Sequence, residues 1–164
     1  MSKTTQKALF AAGCFWGVQF YFDQVPGVTK TTAGYSGGHT SNPTYEEVCT
    51  HTTGHAESVL VEFDPPKISY PDLLKHFFRL HNPTTLNQDG PNFGDSYRSQ
   101  IFYYDAEQKT AALKAKDEAQ KDWQDPIVTK IEPAREFYQA EAYHQKFSQR
   151  TGQGMCHVGY APVS

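Results

Sequence analysis

Short apolar runs, each closed by turn-forming residues, limit what this chain can fold into. Lys7 to Ala12 is apolar and stops at Gly13, as a strand would. Cys14 to Phe22 is aromatic-rich and ends before Val25-Pro26-Gly27, which predicts a short helix directly after that strand. Val28 to Tyr35 reads as a second strand closed by Ser36-Gly37-Gly38. Ser58 to Phe63 alternates, with Val59, Val61 and Phe63 on one face, and stops at Asp64-Pro65-Pro66. Pro71 opens an amphipathic helix that buries Leu73, Leu74, Phe77 and Leu80. Asn82 to Gly94 is rich in Asn, Gly and Pro and reads as a long loop, a kind of segment that is often functional.

Beyond the loop, Tyr97 to Tyr104 is a predicted strand, and Asp105 caps a helix from Ala106 to Trp123, with Gln108 placed for a capping-box-like arrangement. Ile127 to Ile131 reads as a strand, Ala140 to Arg150 as a short helix, and Thr151 to Ser164 as an irregular, flexible tail carrying Gly152, Gly154 and Gly159. Strands and helices interleave at irregular lengths, with no repeat or linker. The expectation is a single α/β (α+β) domain over 1–164, a mixed sheet with helices packed on it as a two-layer roll or sandwich.

Composition excludes more than it selects. A net charge of -3 with 20% charged residues gives no basic stripe for nucleic acid and no patch for a membrane surface. No apolar segment approaches the ~20 residues that cross a bilayer, and Met1 to Lys7 is not a secretory signal, so a soluble, cytoplasmic protein is expected. Nothing demands more than a monomer. Cys14, Cys49 and Cys156 are an odd, widely spaced set without a CxxC, unlike a secreted disulfide framework. In a reducing compartment each is a small buried apolar residue or a reactive thiol.

Gly13-Cys14-Phe15-Trp16-Gly17 puts one of them between a strand and a helix, where free backbone N–H groups and the helix dipole favour a thiolate. Phe15 and Trp16 can wall in a small apolar group beside the sulfur. From position alone, an inert core thiol among packing aromatics is as good a reading. The wider pattern separates the two. Gly34-Tyr35-Ser36-Gly37-Gly38, Asn42-Pro43-Thr44-Tyr45 with Val48-Cys49, Gly54-His55-Ala56-Glu57, His81-Asn82-Pro83-Thr84, Tyr97-Arg98-Ser99 and the run Phe137 to Gln145 follow in order. Together with the Cys14 motif they resemble the class A peptide methionine sulfoxide reductases over nearly the whole chain.

That resemblance implies a chemistry. Cys14 would attack the sulfoxide sulfur and become a sulfenic acid. Glu57 corresponds to the family's acid, a role suited to a sheltered carboxyl; without the motif a solvated strand-edge carboxylate would be the better reading. Tyr45 and Tyr97 match the two tyrosines that hydrogen-bond the sulfoxide oxygen, and Phe15 and Trp16 would receive the substrate methyl group. Asn92 stands in the substrate site where the family most often has Asp, so it lacks a negative charge that would help keep Glu57 protonated; Asp95 is a nearby substitute. Free methionine sulfoxide and oxidised proteins are the implied substrates, with the S epimer taken at sulfur. Cys156, in the glycine-rich tail, is the expected resolving thiol, giving a Cys14–Cys156 disulfide that thioredoxin reduces, and no cofactor is expected. Cys49 is the competing thiol, more simply read as a small buried residue on a short helical turn.

Three rival readings have weaker support. Cys49, His51, His55 and Glu57 cluster as zinc ligands might, but Thr52-Thr53-Gly54 is a poor helix to align two imidazoles. A cysteine hydrolase would pair Cys14 with His144 or His81, although His144 reads mainly as structural. A non-enzymatic module for methionine-rich peptides would need no thiol.

Overall fold

In the computed structural model, residues 5–50, 52–85, 87–89 and 92–146 are described, with the side chains of 88, 89, 92 and 93 left aside. Strand β1 (Gln6–Ala12) runs through the centre, followed by helix α1 (Phe15–Asp23), strand β2 (Val28–Ser36), the short helix α2 (Tyr45–Cys49) and strand β3 (Ala56–Phe63). Helix α3 (Tyr70–Leu80), the hairpin strands β4 (Gln88–Asp89) and β5 (Asn92–Phe93), strand β6 (Ser99–Tyr103), helix α4 (Ala106–Ala119) and strands β7 (Lys130–Pro133) and β8 (Phe137–Gln139) complete the order.

Six strands form one sheet in the order β7-β6-β1-β3-β2-β8, in which only the β6–β7 pair is parallel. Period-two alternation decides what each face carries. Ala8, Phe10, Ala12, Val59, Val61, Phe63, Ala33, Tyr35 and Ile101 share a core with α1, α3 and α4. Leu9, Ala11, Ala56 and Phe102 form a second cluster on the opposite face, covered by Ala134 and Phe137. This is the expected mixed sheet with helices packed on it. The predicted face of β3 is buried as read, and so are Ala56, Glu57 and Ser58 at the strand's start.

Helix α3 buries the four residues expected of it, and Ser69 and Asp72 cap it reciprocally. Phe77 meets Phe10 at 5.2 Å between ring centroids, and Phe10 stacks on Phe22 at 5.6 Å, which ties α3 and α1 to the central strand. No helix among the described residues is long and apolar enough to cross a membrane.

Several boundaries differ from the sequence reading. The strand predicted from Tyr97 starts at Ser99, because Tyr97 sits in a 3-10 turn, Asp95–Tyr97. Helix α4 stops at Ala119 and tightens into a 3-10 turn, as the Gln120 side chain bonds Trp123 O, Asp125 O and Ile127 N and pulls the chain round. At its other end Asp105 does cap Gln108 N, but the Gln108 amide accepts from Tyr104 N and donates to Lys7 O, so the box is not reciprocal. The strand expected over 127–131 lies at Lys130–Pro133, where it pairs with β6.

The largest change falls at 140–146. In place of a helix the chain leaves β8 at Gln139 and makes a 3-10 turn, Ala142–His144. Ala140 N donates to Ala33 O, and the Gln145 amide then donates to Ala33 O and accepts from Ala33 N, both at 2.9 Å. A side chain thus continues the ladder where β8 ends, and these tertiary bonds override local helix propensity. The tail, with Cys156, lies outside the described residues.

Candidate active site

The site forms at one end of the sheet, where β1 and β2 finish and β3 and β6 begin. Gly13 turns the chain with φ 93°, and Cys14 then sits half-buried at the N-cap of α1. A Cys N-cap leaves the first helix donors to other partners. One is met from the neighbouring strand, since Phe15 N donates to Glu57 Oε1 at 3.2 Å. Glu57 is 1% exposed and pairs with Tyr35 in the β2–β3 ladder. A thiol and a buried carboxyl therefore share the positive end of one helix.

Tyr45 opens α2, whose start is set by a capping box between Thr44 and Glu47. Its hydroxyl is hydrogen-bonded with the Cys49 thiol and the Tyr97 hydroxyl. Burial, reinforced by the Glu57 charge, holds both phenols well above the usual tyrosine range, so they remain proton donors. The charges of Glu57, Cys49 and Cys14 all act on Tyr97, which marks the convergence of these groups. Behind Tyr97, the Arg98 guanidinium donates to Asp95 O at 2.8 Å and Gly54 O at 3.0 Å, locking its turn to the loop that leads into β3.

Aromatic rings line the adjoining wall. Phe15 lies 5.6 Å from Tyr35 and 5.2 Å from His144, and Trp16 stacks 6.5 Å from Tyr45. Trp16 Nε1 donates to His144 Nδ1 at 2.8 Å. A cavity of about 1000 Å³ lies elsewhere, between α3 and α4, and none of these residues lines it.

Cys14, Phe15, Trp16, Tyr45, Glu57 and Tyr97 are thus brought together from four separate segments. Asn92 lies on β5 opposite Asp89, and its side chain is among those not described. Asp95 shares a polar pocket with Arg98, Gln100 and Lys130, and its charge acts on Arg98. That placement does not favour it as the substitute charge for Glu57. Cys49 ends the short helix α2, half-buried near Tyr45, and burial raises its thiol above the ordinary value.

Glu141 was not anticipated. Its carboxylate accepts from Tyr35 Oη at 2.8 Å and from Tyr45 N at 3.0 Å. Burial alone would raise it, but these bonds outweigh burial and hold it below the ordinary carboxylate value. The signal was present, since Glu141, His144 and Gln145 all lie in the run Phe137 to Gln145; what could not be read was their direction of reach.

Of the histidines in the rival readings, His51 lies outside the described residues, and His144, His81 and His55 are held in hydrogen bonds of their own. His144 gives Nδ1 to Trp16, and His81 bonds Phe77 O and Ser99 Oγ, both at 2.8 Å. His55 accepts from Gly38 N and donates to Thr40 O, the contact being possible because a Cβ on Gly38 would lie 2.4 Å from His55 N.

The family model "peptide methionine sulfoxide reductase" matches residues 6–164. The chain belongs to the peptide methionine sulfoxide reductase family. It is 55% identical over 149 residues to a peptide methionine sulfoxide reductase MsrA of Methanosarcina acetivorans, covering 90% of this chain and 79% of that protein. Among solved structures it is similar to Mxr1 from Saccharomyces cerevisiae in reduced form, with a TM-score of 0.85 at 34% identity over 92% of this chain and 87% of that one. Mxr1 has also been solved in complex with Trx2, where the match has a TM-score of 0.63 at 26% identity over 90% of this chain and 89% of that one. The reductase family to which the chain belongs is one of oxidoreductases, in keeping with a thiol at the centre of the site.

Proposed function

We propose that this protein reduces methionine S-sulfoxide, free and in proteins, in a single catalytic domain acting in the cytoplasm. The observation that carries the reading is the Cys14 N-cap of α1 with the buried Glu57 bonded to the next residue's amide. The Cys14 thiolate attacks the sulfoxide sulfur while Glu57 delivers a proton to the oxygen. Tyr45 and Tyr97 donate to that oxygen as charge builds on it. Phe15 and Trp16 hold the methyl group, which fixes the sulfur's orientation and so the epimer. Methionine leaves, and Cys14 carries the oxygen as a sulfenic acid.

Cys156 then attacks the Cys14 sulfur, and the oxygen departs as water when the disulfide forms. A thioredoxin dithiol returns both cysteines to thiols and is itself oxidised; the solved complex of yeast Mxr1 with Trx2 supports this partner. Asn92 would contribute to the substrate site by hydrogen bonding alone.

The test is turnover of racemic N-acetylmethionine sulfoxide with dithiothreitol, each epimer followed by chiral chromatography. Wild type should consume only the S epimer, and Cys14→Ser should consume neither. Consumption of both epimers, or activity surviving in the Ser variant, would contradict the reading.

A further inference from the structure

We infer that Arg98 is a positioning residue for the reaction: its guanidinium holds the Tyr97 turn so that the hydroxyl meets the sulfoxide oxygen beside Glu57. The inference rests on Tyr97 serving as a donor to that oxygen. Tyr97 closes a single 3-10 turn, Asp95–Tyr97, just ahead of β6, and one such turn is a weak support by itself. Arg98 supplies what the turn lacks. Its Nη1 donates to Asp95 O at 2.8 Å, its Nη2 to Gly54 O at 3.0 Å and its Nε to Gln100 Oε1 at 2.7 Å. The planar fork thus serves three partners at once, which an ammonium cannot do.

The anchor at Gly54 is itself fixed. Its neighbours are pinned to the turn that leaves β2, where His39 N donates to Thr53 O at 2.9 Å and Gly38 N to His55 Nδ1 at 3.0 Å. Gly37, with φ 90°, leaves room for the fork, since a Cβ there would lie 2.8 Å from Arg98 Nη2. On the other side, Gln100 Nε2 donates to Glu132 Oε1 at 2.7 Å, which joins the fork to β7. Burial lowers the guanidinium from its ordinary value, and the charges of Asp95 and Glu132 oppose that. Glu57 is held by the β2–β3 ladder, so the Tyr97 turn is the part of the oxygen site that depends on Arg98. Loss of the fork displaces a proton donor from the developing charge while the thiol at the start of α1 stays in place.

The test is the saturating single-turnover rate on N-acetylmethionine S-sulfoxide, which later thiol steps do not limit. Tyr45 donates to the same oxygen and covers in part for a displaced Tyr97, so the effect of Arg98 depends on which phenol remains. In a Tyr45→Phe background, where Tyr97 is the remaining phenol, Arg98→Ala should cost about tenfold in rate with little change in the half-saturating concentration. In a Tyr97→Phe background the same change should cost about twofold at most, because the group it positions is gone. Equal losses in the two backgrounds, as from a residue that only stabilises the fold, would overturn the inference. So would a loss confined to the half-saturating concentration, or an unchanged rate in Tyr45→Phe/Arg98→Ala. Should Arg98→Ala not fold, the same cycle with Arg98→Lys decides, since Lys keeps the charge and the stem but not the fork. The Tyr45→Phe/Tyr97→Phe variant separates the two levels: if it keeps the wild-type rate, the donor reading itself is wrong, whatever Arg98 does.

Discussion

The β1–α1 junction and the segment from Phe137 to Lys146 build the same site by opposite means. At the junction, neighbours in sequence are neighbours in space: Gly13 turns, Cys14 caps, and Phe15 and Trp16 follow on the helix's first turn. In the second segment almost nothing is local. Glu141 reaches Tyr35 and Tyr45, His144 reaches Trp16, and Gln145 reaches Ala33 and Gln19. One region carries the reactive atoms, and the other holds them in register. The difference teaches that a nucleophile can be encoded in five residues, whereas its positioning is distributed over the fold.

The comparison can be broken most severely at Glu57, which bonds the junction to β3 through Phe15 N. Glu57→Gln keeps an acceptor for Phe15 N but removes the transferable proton. Steady-state kcat should fall about 10²- to 10⁴-fold with little change in thermal stability. A fall below tenfold would move the acid elsewhere.

Gln145 sharpens the other side. Gln145→Ala strips the side-chain partner from Ala33 N, a fully buried residue, and should cost about 1–3 kcal/mol in urea unfolding while kcat changes far less. Loss of activity without loss of stability would mean that this segment does chemistry rather than bracing.

The smallest effect is a pH dependence. Burial lowers His55, His76 and His144 from 6.5, so the unfolded chain binds protons that the native state refuses. Their stabilising contribution is complete above about pH 6.5 and is lost as the pH falls through that value toward the lower folded ones. Denaturation midpoints should decline on acidification through this window, and less steeply in His144→Asn. A flat profile from pH 7 to 5 would contradict the burial of these rings.

The legibility of each part follows the same division. Strands β1, β2 and β3 and helix α3 were readable because each signals itself by period and by its stops. The Cys14 junction, the tyrosines and Glu57 were readable from their motifs, although their convergence was not, since it depends on strand order. The helix expected over 140–150 is absent from its described part, 140–146, because a helix-compatible sequence is held there by bonds from Ala140, Glu141 and Gln145 to β2 and α2. Tyr97 was placed in a strand because Arg98, which folds its turn by reaching Gly54 O, looks in sequence like any strand-edge residue. Long-range side-chain bonds have no local signature, and they account for most of what was missed.

The central claim is that Cys14 itself takes the oxygen. The most direct measurement is a single turnover of Cys156→Ser, reduced and then freed of reductant, with excess N-acetylmethionine S-sulfoxide. One equivalent of the reduced product per chain, with the mass of one oxygen atom added to the Cys14 peptide and trapped by a sulfenic-acid reagent, is the predicted result. Product formed without oxygen on Cys14, or oxygen found on Cys49 instead, would contradict it.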